Sequence, residues 1–145
     1  MTKSTRSSTR PETFVDTSGF YALLVRGEPR HARAKEVLAR AARSGRRFVT
    51  TDYVLDETAT LLKARGCGHL ARPLFETVFQ SAACQVKWMD AERFGEVQRF
   101  FFKHQDQDWS FTDCFSFCVM RPLGIRDALT TDHHFRQAGF HALLG

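Results

Sequence analysis

Cysteine is sparse in this chain, and long apolar runs are missing. The unbroken apolar stretches are a few residues each, far below the ~20 that a membrane-spanning helix needs, so no transmembrane segment is expected. Four cysteines (Cys67, Cys84, Cys114 and Cys118) are too few for a disulfide scaffold, and reduced thiols in a cytoplasm are expected. There is no CxxC pair. Cys114 and Cys118, four apart on an apolar helix, read as small hydrophobes before they read, with Cys67 and His69, as zinc ligands. The basic start MTKSTRSSTRPE has no apolar run behind it, so it lacks the core of a secretory signal, and it is too short and too unpatterned for a transit peptide. Residues 1–12 are expected to be a disordered basic tail, followed by one domain over 13–145. No internal repeat or low-complexity tract appears after the tail.

What is present is an ordinary globular composition. At 145 residues, with 43% hydrophobic residues and 14 phenylalanines, the chain can bury one real core, which excludes wholesale disorder. The net charge of +5 is unevenly spread. Eight basic residues between Arg26 and Arg47 face only Glu28 and Glu36, while the chain outside this segment and the tail is mildly acidic. Either a solvated arginine-rich helix face or a surface for phosphates or an acidic partner, with Arg26, Arg33 and Arg40 as candidates, fits that distribution.

Short apolar strands alternate with amphipathic helices, an order that favours an α/β fold with a parallel sheet. Strands are expected at Thr13–Asp16, Arg47–Thr50, Gln85–Met89 and Ile125–Thr131, with a fifth at Phe140–Leu143. Helices are expected at Thr17–Val25, His31–Arg43, Tyr53–Arg65, Leu70–Ala82, Asp90–Lys103 and Phe111–Met120, the last buried on all sides.

Four acids stand out against this pattern. Asp16 and Asp132 each close an expected strand, and in a parallel sheet the carboxyl ends of the strands are where ligands bind. Glu57 falls on the apolar stripe of its helix, where a carboxylate needs a partner; its neighbour Asp56 is turned away to solvent. Asp113 opens the buried helix directly after Thr112, a good N-cap. Each has a structural alternative: capping for the aspartates, an arginine partner for Glu57, and the helix dipole for Asp113. Together, however, carboxylates converging on one sheet edge repel one another unless a cation holds them, and a hard ion such as Mg²⁺ or Mn²⁺ suits an all-oxygen donor set.

The segments FVDTSGFYALL, VLDETATLL, QDQDWSFTDCFSF and ALTTDHHF together resemble the PIN-domain ribonucleases, most closely the VapC toxins of type II toxin–antitoxin modules. The resemblance covers the chain after about residue 12. It implies a PIN-like α/β/α sandwich with a central, mostly parallel sheet of four to five strands, and an Mg²⁺- or Mn²⁺-dependent endoribonuclease cutting single-stranded RNA by activated water to leave a 5′-phosphate and a 3′-hydroxyl. The matched acids are Asp16, Glu57, Asp113 and Asp132. Asp16 and Asp113 are the foremost metal ligands; Thr112, Thr130 and Ser18 supply supporting hydroxyls, and Asp108 an outer acid. The partners implied are RNA, a VapB-like antitoxin and a second copy of the chain. The dimer surface is expected from Phe20, Tyr21, Leu23 and Leu24 with Leu70, Leu74, Phe75 and Val78.

Rival readings make narrower demands. A PIN fold that only binds RNA or protein would have lost an acid, and none is lost; a PIN nuclease outside a toxin–antitoxin module remains an alternative. Phosphatases and exonucleases that place a second acid two residues after the first do not match, because Ser18 occupies that position. His133 and His134 adjoin Asp132 and can be read as ligands for a softer metal, whereas the resemblance gives His134 a structural part. Trp109 and the phenylalanines are core before they are base-stacking platforms.

Overall fold

Five short strands and seven helices follow one another along residues 11–145, the part of the chain that the computed structural model describes. Residues 1–10 of the expected tail lie outside the described residues; Glu12, assigned to that tail from the sequence, opens the first strand. Strand β1 (Glu12–Val15) leads to helices α1 (Thr17–Leu24) and α2 (His31–Arg43), and β2 (Arg47–Thr51) to α3 (Asp52–Ala64), a 3-10 turn (Gly68–Leu70) and α4 (Ala71–Gln80). Next come β3 (Cys84–Lys87), α5 (Ala91–Lys103), α6 (Phe111–Leu123), β4 (Asp127–Leu129), α7 (His133–Gln137) and β5 (His141–Ala142).

The strands form one sheet in the order β3-β2-β1-β4-β5, and every neighbouring pair is parallel. Thr13, Phe14 and Val15 of β1 are all buried, as expected of a central strand covered by helices on both faces. The chain builds outward from β1 to β2 and β3, then returns through α5 and α6 to lay β4 on the other side of β1. That reversal makes the gap above β1 and β4 a topological switch point, where an open parallel sheet offers a ligand crevice. On one side of the sheet Phe14, Phe117, Phe135 and Phe140 pack ring to ring, and Trp109 joins them through Phe117. Trp109 is therefore core, as the sequence suggests.

Several boundaries differ from the sequence reading, each for a local reason. The fourth strand is three residues instead of seven, because only Asp127–Leu129 pair with β1; Asp132 lies beyond its end. The expected helix at Leu70–Ala82 begins as the 3-10 turn and stops at Gln80, where Ser81 turns extended. Helix α6 runs past Met120 to Leu123 with Pro122 in its last turn and ends on Gly124, whose φ of +69° closes the helix in the left-handed region. Its N-cap is Ser110, not Thr112: the Ser110 hydroxyl accepts from the Asp113 amide while the Asp113 carboxylate accepts from the Ser110 amide.

One glycine fixes how α1 lies on the sheet. A Cβ built at Gly19 would collide with the Leu129 carbonyl oxygen and crowd its carbonyl carbon at 2.9 Å, so the α1 backbone rests directly on the end of β4. The cue in the sequence is a glycine inside a helical pattern. Gly19→Ala is expected to cost about 2 kcal/mol or more, since backbone must move. Gly95→Ala in α5, where only the flexible Arg99 guanidinium comes near at 3.6 Å, should instead stabilise by up to about 1 kcal/mol. Urea denaturation of both variants checks the contrast; equal effects would contradict the close α1–β4 contact.

Candidate active site

The switch point gathers acids from three distant stretches of chain. Asp16 follows β1 directly, and its backbone N–H donates to the Leu129 carbonyl at 3.2 Å, extending the β1–β4 pairing by one rung. It occupies the N-cap position of α1, yet its side chain does not cap the helix. The carboxylate instead accepts from the Thr130 hydroxyl at 2.8 Å. Thr130, fully buried, has its only hydroxyl proton committed there, so Ser18 Oγ, 3.1 Å away, donates to Thr130 Oγ1 and in turn accepts from the Thr131 amide at 2.9 Å. The Asp132 amide donates to the same Thr130 oxygen at 3.0 Å. Two hydroxyls thus lock Asp16, α1 and the loop after β4 together, Thr130 by bonding the carboxylate itself and Ser18 by bonding Thr130.

Asp113, in the first turn of α6, and Asp132, capping α7 through its bond to the His134 amide at 2.9 Å, complete the cluster. His134 joins them: its Nδ1 lies 3.2 Å from Asp113 Oδ2 and 3.1 Å from Asp132 Oδ1. Since both neighbours are carboxylate oxygens, that nitrogen carries the hydrogen. The resemblance gave His134 a structural part, and the structure places it inside the acid cluster; the cue is its position two residues after Asp132, on the same first turn. Glu57 corrects a second expectation, being exposed instead of buried on an apolar stripe. It reaches the site through Thr17, whose hydroxyl donates to Glu57 Oε1 at 2.9 Å.

The other expected residues stay outside. Thr112 is half-buried and neither caps α6 nor bonds an acid, and Asp108 is exposed and bonds none of the four. Arg33 and Arg40 are exposed on α2, both 3.4 Å from Glu36, and Arg26 is exposed in the turn before it. Arg46, counted in the same basic segment, bonds Asp127, Thr13 and the Glu12 carbonyl at the amino end of the strands, away from the acids. Cys114 and Cys118 have thiols pushed up to about 12 and about 11, burial being the first cause, and neither belongs to a group of metal-ligating side chains among the described residues. Of the expected dimer surface, Phe20, Leu74 and Val78 are buried in the monomer, whereas Phe79 and Trp88, stacked with ring centres 6.0 Å apart, are exposed.

The electrostatics suit a cation. Asp16, 5% exposed, is pushed up to about 7 from 3.8 by burial; the Thr130 bond and the Thr17 amide oppose this, and Asp113 and Asp132 add repulsion. Asp113 is also raised, by burial and by Asp132, against the Ser110 amide and His134. One oxygen of each of the four acids is held by a protein donor, while the second oxygens of Glu57, Asp113 and Asp132 accept nothing from the described residues. Because no buried side-chain polar atom is left unpartnered, those second oxygens of Asp113 and Asp132 face solvent. Oriented carboxylates with a free oxygen each are the donor set a hard divalent ion takes.

A three-layer fold around a parallel sheet with acids at its switch point defines a class. The PIN domain pattern matches residues 13–141, and the chain belongs to that family. Within it the chain is VapC-like. It is 36% identical over 127 residues, 88% of this chain and 94% of the relative, to the 23S rRNA-specific endonuclease VapC20 of Mycobacterium tuberculosis strain CDC 1551 / Oshkosh, and equally to that of strain ATCC 25618 / H37Rv. The crystal structure of M. tuberculosis VapC20, titled a Sarcin-Ricin loop cleaving toxin, matches with a TM-score of 0.77 at 35% identity, covering 88% of this chain and 95% of that one.

The pH dependence of stability follows from Asp16. Its folded pKa lies above its ordinary value, so the stabilisation from its bound proton is complete below about pH 4 and is lost as pH rises through about 7. In EDTA, Asp16→Asn should therefore be more stable than the parent at pH 8, by up to about 4 kcal/mol, with the difference vanishing near pH 4. Urea unfolding across that range checks it; parallel curves at every pH would rule out burial of the Asp16 charge as the cause.

Proposed function

We propose that the protein is a metal-dependent endoribonuclease, the toxin of a toxin–antitoxin pair, acting in the cytoplasm on 23S ribosomal RNA. The observation that carries this reading is the Asp16–Asp113–Asp132 cluster at the switch point, with Asp16 fixed by Thr130 and Ser18 and with Glu57 joined through Thr17. Membership of the PIN family and 36% identity to a 23S rRNA-specific endonuclease support the reaction and the substrate.

Asp16 and Asp113 would hold Mg²⁺ or Mn²⁺ directly, with Asp132 and Glu57 bound to it or oriented around it. When bound, such an ion supplies positive charge that lowers the pKa of water and neutralises charge gathering on a phosphodiester. Thr130 and the Ser110 amide keep the Asp16 and Asp113 carboxylates aimed, so little reorganisation is needed as charge develops. His134 steadies the mutual repulsion of Asp113 and Asp132. Glu57, exposed and bonded to Thr17, would orient the attacking water. Single-stranded segments such as loops are the substrate this reading implies, and phosphates would meet Arg26, Arg33 and Arg40 only outside the acid cluster. A VapB-like antitoxin and a second copy of the chain are the protein partners, the exposed Phe79–Trp88 pair being apolar surface that association would cover.

Purified ribosomes incubated with the protein and Mg²⁺ or Mn²⁺ should show one dominant 23S cleavage, mapped by primer extension, that EDTA abolishes. Asp16→Asn and Asp113→Asn should each lower the rate by about 100-fold or more with the fold retained by circular dichroism. Cleavage by Asp113→Asn in EDTA at the parent rate would end the metal-dependent reading, and intact 23S rRNA beside cleavage of another RNA would replace the substrate.

A further inference from the structure

The acid cluster uses His134 but leaves its neighbour His133 without a part. His133 is 70% exposed, and no described residue hydrogen-bonds its ring. Even so, ligating atoms of Asp132, His133 and His134 lie within 4.8 Å of one another, and the two imidazole rings are tilted together with centres 4.4 Å apart. His133 Nδ1 is 3.9 Å and His134 Nδ1 3.1 Å from Asp132 Oδ1, and an ion there would take the place of the hydrogen that His134 Nδ1 shares with Asp132 and with Asp113 Oδ2, 3.2 Å away, leaving the ring protonated on Nε2. Two imidazoles with one or two carboxylates are a poor match for Mg²⁺, which demands six oxygens, and a good one for a borderline ion that accepts nitrogen in a four-coordinate shell.

We propose that Asp132, His133 and His134 form a second metal site, selective for imidazole-preferring divalent ions with zinc the representative, and that filling it withdraws Asp132 from the acid cluster and inhibits cleavage. The exposure of His133 supplies the entry path, and the shared Asp132 makes the two sites exclusive. Binding at this site stands on the side chains alone; the inhibitory half rests on the nuclease reading above.

The test uses the full chain freed of metal with EDTA and dialysed, with Co²⁺ and Zn²⁺ as the probes. Co²⁺ should give the intense visible absorption of a low-coordinate nitrogen–oxygen site, and Zn²⁺ should bind one per chain by calorimetry. His133→Asn should weaken Zn²⁺ binding by about 10-fold or more, leave Mg²⁺-dependent cleavage without zinc at the parent rate, and raise the inhibitory zinc concentration by a similar factor. Zinc affinity equal in parent and variant would overturn the site, because binding that survives the substitution does not use His133. Zinc bound at His133 with cleavage undiminished would overturn the inhibition alone. A parent that cleaves nothing with Mg²⁺ contradicts the nuclease reading and the inhibition with it, while the Co²⁺ spectrum still decides the site.

Discussion

Everything at this site hangs on one hydroxyl. Thr130 Oγ1 gives its proton to Asp16 and receives those of Ser18 and the Asp132 amide, so a single buried oxygen ties the end of β1, the first turn of α1 and the loop after β4. The arrangement is possible only because α1 lies against β4 closely enough to forbid a side chain at Gly19. A methyl group there would lift Ser18 off Thr130, and Thr130 would then lose the donor that fixes its rotamer. The threonine after a short strand is thus both a structural rivet and the part that aims the deepest acid.

That acid is held at a cost. A carboxylate 5% exposed beside two others is unfavourable as an anion, and burial contributes more to this than the neighbouring charges do. The protein answers with donors: a hydroxyl for Asp16, the Ser110 amide for Asp113, and His134 between Asp113 and Asp132. Each donor takes one oxygen, and the second oxygens of Asp113 and Asp132 stay turned to solvent. Asp113 and Asp132 add repulsion at Asp16 that a cation would relieve.

Capping chemistry and site chemistry are the same bonds here. Asp113 closes the capping box of α6, and Asp132 caps α7, so each of the ordinary explanations for an aspartate at a helix start is true of one of its oxygens. Asp16 is the exception, sitting in a capping position without capping. Capping by Asp113 and Asp132 therefore occupies one oxygen of each and leaves the other without a donor among the described residues.

The sequence by itself determined the parallel α/β order and the single core, because apolar periodicity is a local pattern that survives any packing. His31–Arg43 and the Asp90 cap of α5 could be read from residues alone, since propensity and capping act within a few positions. Tertiary structure decided what depends on approach between distant segments. Glu57 looked buried from its helical spacing, but the residue is exposed and bonded only by Thr17. Thr112 looked like a cap until Ser110 formed the reciprocal pair, and Phe20, Leu74 and Val78 looked like surplus until the monomer buried them. The strand at Ile125–Thr131 is three residues long because only Thr13–Val15 of the four-residue β1 pair with it. For His134 the spacing after Asp132 is a cue to the first contact only; its contact with Asp113 is set by the meeting of α6 with α7, two helices whose junction no local pattern encodes.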